Sequence, residues 1–438
     1  MSQNDKVEVI IVGAGPAGLT CAYSLAKRGA EVVVIERGEY PGAKNMFGGI
    51  FFSSIMEKIF PEFFDEAPWE RFVGKRKFSI LAGKSELAFD MMPSAFNEKP
   101  YNHSFITLRG TMDGWLAKKA EGAGVSIITD YCVSDFLYEK GKIVGITSGS
   151  GDEDNLLADM IVCAEGANSI LTEKAKLRKK IDPERRSIAI KENMRLPQNV
   201  IEDRFGLAGR QGAAFEYFGE AVQGLLGNGF IYTNKDSLSV GVGFSLSDFI
   251  KNRNGKNPND ILEDFKSHPS IAPLLKGAEI VEYMAHMIPS DGFDSLPKLY
   301  RDGLLVIGDA AGLLNTSFFH EGVNLAMASG IYAADTIMEA RRKNDFSSQT
   351  LSLYEEKLKD SFVLQDIKNC KNFLSFLHKN KSLINDYPTL MNDILVDYFR
   401  VSEKPKTAVK KEIFRKVKKN VKFTRLAREM WGAWSNLI

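Results

Sequence analysis

The chain has 438 residues, 44% of them hydrophobic and 26% charged, with a formal net charge of +1. That length holds two or three domains and a large core, and the near-neutral balance disfavours nucleic acid as a partner. Cys21, Cys132, Cys163 and Cys370 are scattered with no C-x-x-C pair, which argues against a metal or iron–sulfur cluster bound within this chain and fits a reducing compartment.

Residues 7–12 form an apolar strand, GAGPAG at 13–18 a tight turn, and 19–28 a helix that Gly29 ends; EVVVI at 31–35 is a second buried strand. This is a β-α-β unit, the opening of a doubly wound sheet. Asp5, Glu8, the glycines and a proline argue against reading residues 7–26 as a signal core or membrane span. No other stretch approaches the ~20 apolar residues that a spanning helix needs. The expectation is a cytoplasmic protein, peripheral on the cytoplasmic membrane.

A glycine-rich loop follows at 41–50, β-ribbon at 78–106, a helix at 112–123, and strands at 125–129, 143–147 and 157–164. Residues 186–290 read as an inserted mixed sheet, with a hairpin formed by 230–233 and 237–244 and a short helical or loop piece at 268–277. A strand at 304–307 and a long helix at 323–342 return to the first style. From Ser347 the chain is mostly helical; between Lys404 and Arg428 eleven Lys/Arg face one acid, Glu412, and Val409, Ile413, Val417 and Val421 recur every four residues. The domain reading is a doubly wound domain in three segments, 1–75, 107–185 and 291–345, an inserted mixed domain at 76–106 and 186–290, and a helical region at 346–438.

Three loops carry the cofactor signal. In GAGPAG, Gly13 permits the turn, Gly15 lets backbone approach a pyrophosphate, and Gly18 packs helix on strand; Pro16 and Ala17 open the helix, whose N-terminus attracts the diphosphate. Glu36 ends the second strand, where an acid accepts from ribose hydroxyls. This loop alone does not separate FAD from NAD. The other two, IVCAEGANS at 161–169 with Gly166 and LLVIGDAAG at 304–312, favour FAD. Asp309 is placed to accept from a ribityl hydroxyl, with Gly308 and Gly312 allowing backbone contact; the alternative is that Asp309 only caps a helix. The helix opening at Gly322, Val323 and Asn324 points N–H groups at the flavin N1/C2=O edge. Arg109 is either a diphosphate clamp or a surface charge. Arg37, Lys44 and Val133 complete the cofactor-binding set.

Together these residues resemble the glutathione reductase-like flavoproteins of the geranylgeranyl reductase and electron-transfer-flavoprotein dehydrogenase group. GAKNMFGG (42–49), LPQNVIEDRFGL (196–207), GNGFIYTNKDSLSVGVG (227–243), FKSHPSIAPLL (265–275), EYMAHMIPSDG (282–292) and PKLYRDGLLVIGDAAG (297–312) look like the C subunit of Fix-type electron transfer flavoprotein:quinone oxidoreductases. The resemblance covers nearly the whole chain. It implies an α/β chain with a glutathione reductase-like FAD-binding fold (a doubly wound sheet), an inserted mixed α+β domain and a helical C-terminal region. It also implies one FAD, electrons received from an electron transfer flavoprotein and passed toward membrane quinone, and a small ferredoxin-like iron–sulfur subunit. The tail lacks the cysteine cluster of single-chain relatives, so any cluster belongs to another polypeptide. In that setting the assembly bifurcates electrons, with the bifurcating flavin in the partner. Met46, Phe47, Gly48 and Gly49 pass along the flavin face by position and by resemblance.

Three rivals stand beside this reading. A prenyl reductase carries a pocket motif resembling Y-x-W-x-F-P, where this chain reads GFIYTNKDS. An NADPH-dependent hydroxylase carries D-G-x-x-S-x-x-R, where Glu165 and Thr172 stand at the first and last positions here. A non-enzymatic FAD-holding scaffold is the third. His320, in SFFHE at 317–321, is the first candidate for proton relay to a quinone, with Tyr283 and His286 as second candidates; a locally hydrogen-bonded histidine is the plain alternative. No metal is expected. The basic C-terminal helix, ending in Met430, Trp431, Trp434 and Leu437, fits an anionic membrane face, an acidic partner subunit, or simple packing on its own domain.

Overall fold

The structure is a computed structural model that describes residues 6–45, 48–149, 154–180, 182–290, 292–318 and 320–437. The chain divides into two compact units: residues 1–72, 99–186 and 287–371 form the first, and 73–98, 187–286 and 372–438 the second.

The first unit is built on a parallel sheet ordered Ser126–Ile128, Val32–Ile35, Val7–Val12, Leu156–Cys163, Leu304–Val306, with Tyr300–Arg301 antiparallel at its edge. All four residues of Val32–Ile35 are buried, as in a strand covered on both faces. The helix Pro16–Ala26 packs against the helix Val323–Lys343. Their backbones nearly touch, because a Cβ on Gly330 would lie 2.5 Å from the Ala17 carbonyl oxygen. The first helix starts at Pro16, earlier than the apolar spacing suggests, because proline tolerates the first helical position. The expected loop at 41–50 ends in a strand, Gly48–Phe52, paired antiparallel to Ser104–Leu108.

In the second unit the strands run in the order Glu279–Pro289 (through His286), Arg186–Arg195 (from Ser187), Ser237–Ser245, Gly227–Thr233, Gln211–Gly219, Arg71–Ala82 (from Val73), with Ser85–Met91 on the last. The expected hairpin is present: Thr233 pairs with Leu238, and Asn234 N–H donates to the Ser237 carbonyl at 2.8 Å. One face buries Ile190, Phe215, Ile231 and Val240 with Ile201, Phe205, Ile261 and Phe265 from two helices. The second of these helices, Pro258–Ser267, lies outside the sequence reading. Its signal was legible: Asn257 Oδ1 accepts from Asp260 N at 3.1 Å while Asp260 Oδ2 accepts from Asn257 N at 2.8 Å, a reciprocal cap.

The region expected as one helical segment, 346–438, divides at Lys371 between the two units. Beyond it come the helices Phe373–Lys379, Asp386–Phe399, Lys406–Asn420 and Phe423–Leu437; two nearly inaccessible carboxylates tie the segment 381–387 to its surroundings, and Lys416 pairs with Asp393 and Asp397. Asp248 receives Lys381 Nζ at 2.7 and 2.8 Å. Glu429 receives Arg425 Nε at 2.7 Å, Tyr387 Oη at 2.6 Å and Ser382 Oγ at 3.1 Å. Val409 and Val421 are buried, while Ile413 and Val417 are half-buried, so the four-residue apolar stripe packs inward. Among the described residues no helix is long and apolar enough to cross a membrane.

Gly13 has φ +112°, and a Cβ there would lie 2.3 Å from the Ala164 carbonyl oxygen. Gly13→Ala combines left-handed strain with a backbone clash, so unfolding in denaturant should show a loss of roughly 2–4 kcal/mol.

Candidate functional site

The helix Pro16–Ala26 begins after Gly15 with no side-chain cap, which leaves first-turn N–H groups to be satisfied by something other than a cap. Gly18 closes the turn, since a Cβ there would stand 2.0 Å from the Gly13 carbonyl oxygen. Arg109 opens the helix Arg109–Gly122, and its Nη2 lies 4.0 Å from where a Gly15 Cβ would be. Asp113 fixes it: Nε to Oδ1 is 2.8 Å and Nη2 to Oδ2 is 2.7 Å. Asp113 is fully buried; burial raises its carboxyl above the ordinary range and Arg109 opposes the rise. Arg109 is therefore a positioned cation, not a solvated surface charge. Asp113 escaped the sequence reading, although its i+4 spacing from Arg109 was visible.

Glu36 accepts from Ala14 N at 2.9 Å and from Gly38 N at 2.7 Å, one bond to each oxygen. A carboxylate oxygen has two lone pairs, so each retains acceptor capacity for a ribose hydroxyl. Tyr131 N donates to the Glu36 carbonyl at 3.1 Å, which brings the loop bearing half-buried Val133 beside this strand end. Arg37 and Lys44 are exposed. Phe47, with Met46 and Phe319, lies outside the described residues. Gly48 and Gly49 pair with Leu108 and Thr107, immediately before Arg109.

The second loop is organised around its own helix. Glu165 accepts from Leu171 N at 2.8 Å, Thr172 N at 2.7 Å and Thr172 Oγ1 at 2.8 Å, capping Ile170–Lys174. Gly166 takes φ +78° in that turn.

The third loop meets the first. Gly308 has φ +62°, its N–H donates to Ser329 Oγ at 3.0 Å, and a Cβ on it would sit 2.9 Å from the Ala17 Cβ. The Asp309 carboxylate is half-buried and makes no hydrogen bond among the described residues. Burial raises its pKa, opposed by the charges of Arg109 and Arg186. A cap would accept a backbone N–H, and Asp309 does not; only its main-chain carbonyl does, from Gly312 N at 2.9 Å. Gly312 follows at φ +71°. Arg186, which also acts on Asp309, was not foreseen.

The helix Val323–Lys343 starts after Gly322 without a side-chain cap. Asn324 is committed to structure: its Oδ1 accepts from Ile55 N at 3.0 Å and Ser54 Oγ at 3.1 Å, and its Nδ2 donates to Glu321 Oε1 at 2.6 Å. His320 is exposed at φ +46°, its N–H donating to the Ser317 carbonyl at 3.0 Å. Tyr283 and His286 belong to the second unit, exposed on its edge strand. Three residues apart on a strand, they point to opposite faces and do not line one slot together.

Uncapped N–H groups, a fixed guanidinium, glycine cradles and a carboxylate with no donor among the described residues are groups of the kind that bind an extended dinucleotide. The profile of the ETF-QO/FixC family C-terminal domain matches residues 373–438, and that of the Thi4 family residues 1–70. Protein FixC of Azorhizobium caulinodans is 40% identical over 416 residues, covering 94% of each chain. Protein FixC of Escherichia coli K12 is 39% identical over 416 residues and 95% of each.

The chain belongs to the FixC family.

As a FixC family member it is an FAD-dependent oxidoreductase, a flavoprotein of electron transport. A geranylgeranyl bacteriochlorophyll reductase-like protein from Thermoplasma acidophilum superposes with a TM-score of 0.72 at 20% identity, covering 95% of this chain and 96% of that one. The flavin-dependent brominase Bmp2 gives 0.63 at 19% identity, covering 95% and 100%. These likenesses show the expected fold.

Asp309→Ala should lower FAD affinity at least about 10-fold, measured by fluorescence titration of apoprotein, because a ligand hydroxyl loses its carboxyl partner. Glu165→Ala should instead cost roughly 0.5–2 kcal/mol of stability and leave FAD affinity unchanged.

Proposed function

We propose that this chain binds one FAD along the two glycine loops, takes electrons from an electron transfer flavoprotein, and passes them toward membrane quinone within a Fix-type complex. The observation that carries the FAD placement is Asp309. Its carboxylate meets no donor among the described residues, yet it feels the charge of Arg109, which also reaches Gly15 of the first loop. A cofactor laid between those points runs from diphosphate to ribityl.

The flavin supplies the redox chemistry when bound. The chain's own residues bind and orient it. The helix start at Ala17 and Gly18 and the Arg109 guanidinium hold diphosphate charge. Glu36 receives ribose hydroxyls, and Asp309 a ribityl hydroxyl. The uncapped start of Val323–Lys343 favours negative charge at the ring's pyrimidine edge.

The family supports the electron transfer flavoprotein and quinone as donor and acceptor. YdiS of Escherichia coli, described as a probable electron transfer flavoprotein-quinone oxidoreductase, is 37% identical over 417 residues. In this reading a ferredoxin-like subunit carries the iron–sulfur cluster, and any bifurcating flavin resides in the partner. Quinone lies in lipid, so the protein meets a membrane face peripherally. The last two helices favour that: Phe414, Phe423, Met430, Trp431 and Trp434 are exposed among lysines and arginines.

Anaerobic mixing with reduced partner flavoprotein should bleach the bound flavin; no bleaching overturns the electron-transfer reading in favour of a scaffold or prenyl reductase. Flotation with anionic vesicles should show binding of the native protein and a loss on the order of 10-fold in Trp431→Ser/Trp434→Ser, since each buried aromatic contributes a kcal/mol or more. Equal flotation of the two removes the membrane assignment for this face.

A further inference from the structure

A strongly cationic stretch of the first unit has no task in the binding scheme above. Residues 174–186, KAKLRKKIDPERR, carry seven Lys/Arg against two acids, in a chain whose formal net charge is only +1. Lys174, Lys176, Lys179, Lys180 and Arg185 are all exposed. Lys174 is engaged by Asp135 at 3.7 Å. Lys176, Lys179, Lys180 and Arg185 make no ion pair among the described residues.

These cations stand on a fixed surface. Ala175 and Leu177 are buried between them. Arg301 holds the backbone, its Nη1 donating to the Ala175 carbonyl and its Nη2 to the Gly141 carbonyl, both at 2.9 Å. Lys298 N donates to the Leu177 carbonyl at 3.0 Å, which brings the exposed Lys298 side chain beside the segment. Ser290 N donates to the Arg185 carbonyl at 3.0 Å and fixes the far end. Arg178 joins this surface to the cofactor loop. It is half-buried, and its Nη2 donates to the Ala310 carbonyl at 3.3 Å, one residue after Asp309. A partner seated on the exposed cations is therefore one arginine away from the loop assigned to the ribityl chain.

Like charges left unpaired on one face repel each other, and what such a face gains is the attraction of an oppositely charged partner. An apolar quinone takes nothing from it. A protein with an acidic face does. Ile170 and Tyr138 are the neighbouring apolar side chains that stand exposed, Tyr138 beneath Arg301 at 5.4 Å. Abundant charge with little apolar area suits the short-lived encounters of redox proteins.

We propose that Lys176, Lys179, Lys180 and Arg185 form the docking surface for an acidic face of the electron transfer flavoprotein that delivers electrons to this chain, and that Arg178 fixes this surface against the flavin loop. This rests on the electron-transfer reading above.

The test uses FAD-loaded full-length protein and the oxidised partner flavoprotein, so that binding is read by calorimetry without electron transfer. The native protein should bind at about 20 mM salt and at least about 10-fold more weakly at about 300 mM. Lys176→Glu/Lys179→Glu/Lys180→Glu should weaken low-salt binding on the order of 10²-fold and flatten the salt dependence. Lys27→Glu/Lys84→Glu/Lys276→Glu makes the same change in net charge at exposed lysines elsewhere and should bind like the native protein. Native-like binding by the first variant, equal weakening by the second, or no low-salt binding by the native protein overturns the proposal. So does unchanged partner binding by the first variant together with lost flotation on anionic vesicles, which assigns the face to lipid. Should the first variant lose FAD, Lys179→Glu decides alone: binding weakened at least about 3-fold supports the surface, and native binding overturns it. Binding that follows the predicted pattern supports the docking surface even where anaerobic mixing with reduced partner leaves the flavin unbleached, so that failure of the electron-transfer reading is a separate result.

Discussion

The first unit depends on one buried ion pair at a crowded place. Arg109 and Asp113 cost desolvation to bury, and replacing such a pair with apolar residues is often neutral or stabilising. Stability alone therefore does not account for it. What the pair does is hold a guanidinium beside Gly15, where the first helix offers uncapped N–H groups, and within electrostatic reach of Asp309. A lysine would carry the charge but not the bidentate lock on Asp113.

The glycines around this pair act by closeness more than by flexibility. Gly18 meets the Gly13 carbonyl, Gly308 meets Ala17, and Gly330 meets the Ala17 carbonyl. Each contact removes the space a side chain would need, so two loops separated by almost three hundred residues reach the same helix. An extended cofactor needs that arrangement, because its two ends must be bound by rigidly related backbone.

In the second unit, carboxylates of a different kind fix the tail. Asp248 and Glu429 are almost inaccessible but fully engaged, with cationic and hydroxyl donors on their oxygens. These paired acids are held below the ordinary carboxylate range, because their donors outweigh burial, whereas Asp309, with no donor among the described residues, sits above it. Pairing alone does not set the direction, since Asp113 is locked to Arg109 and deep burial still holds it above that range.

The sequence alone determined the parallel sheet, the GAGPAG turn, the hairpin at 234–236 and the long helix after Gly322, because each rests on local periodicity or turn chemistry. It also determined the family, through stretches spread over the whole chain. It left Asp309 open between cap and ligand acceptor, and Arg109 open between clamp and surface charge. Those choices depend on which groups stand nearby in space, which local sequence does not specify: among the described residues no backbone N–H reaches the Asp309 side chain, and Asp113 holds the Arg109 guanidinium in place.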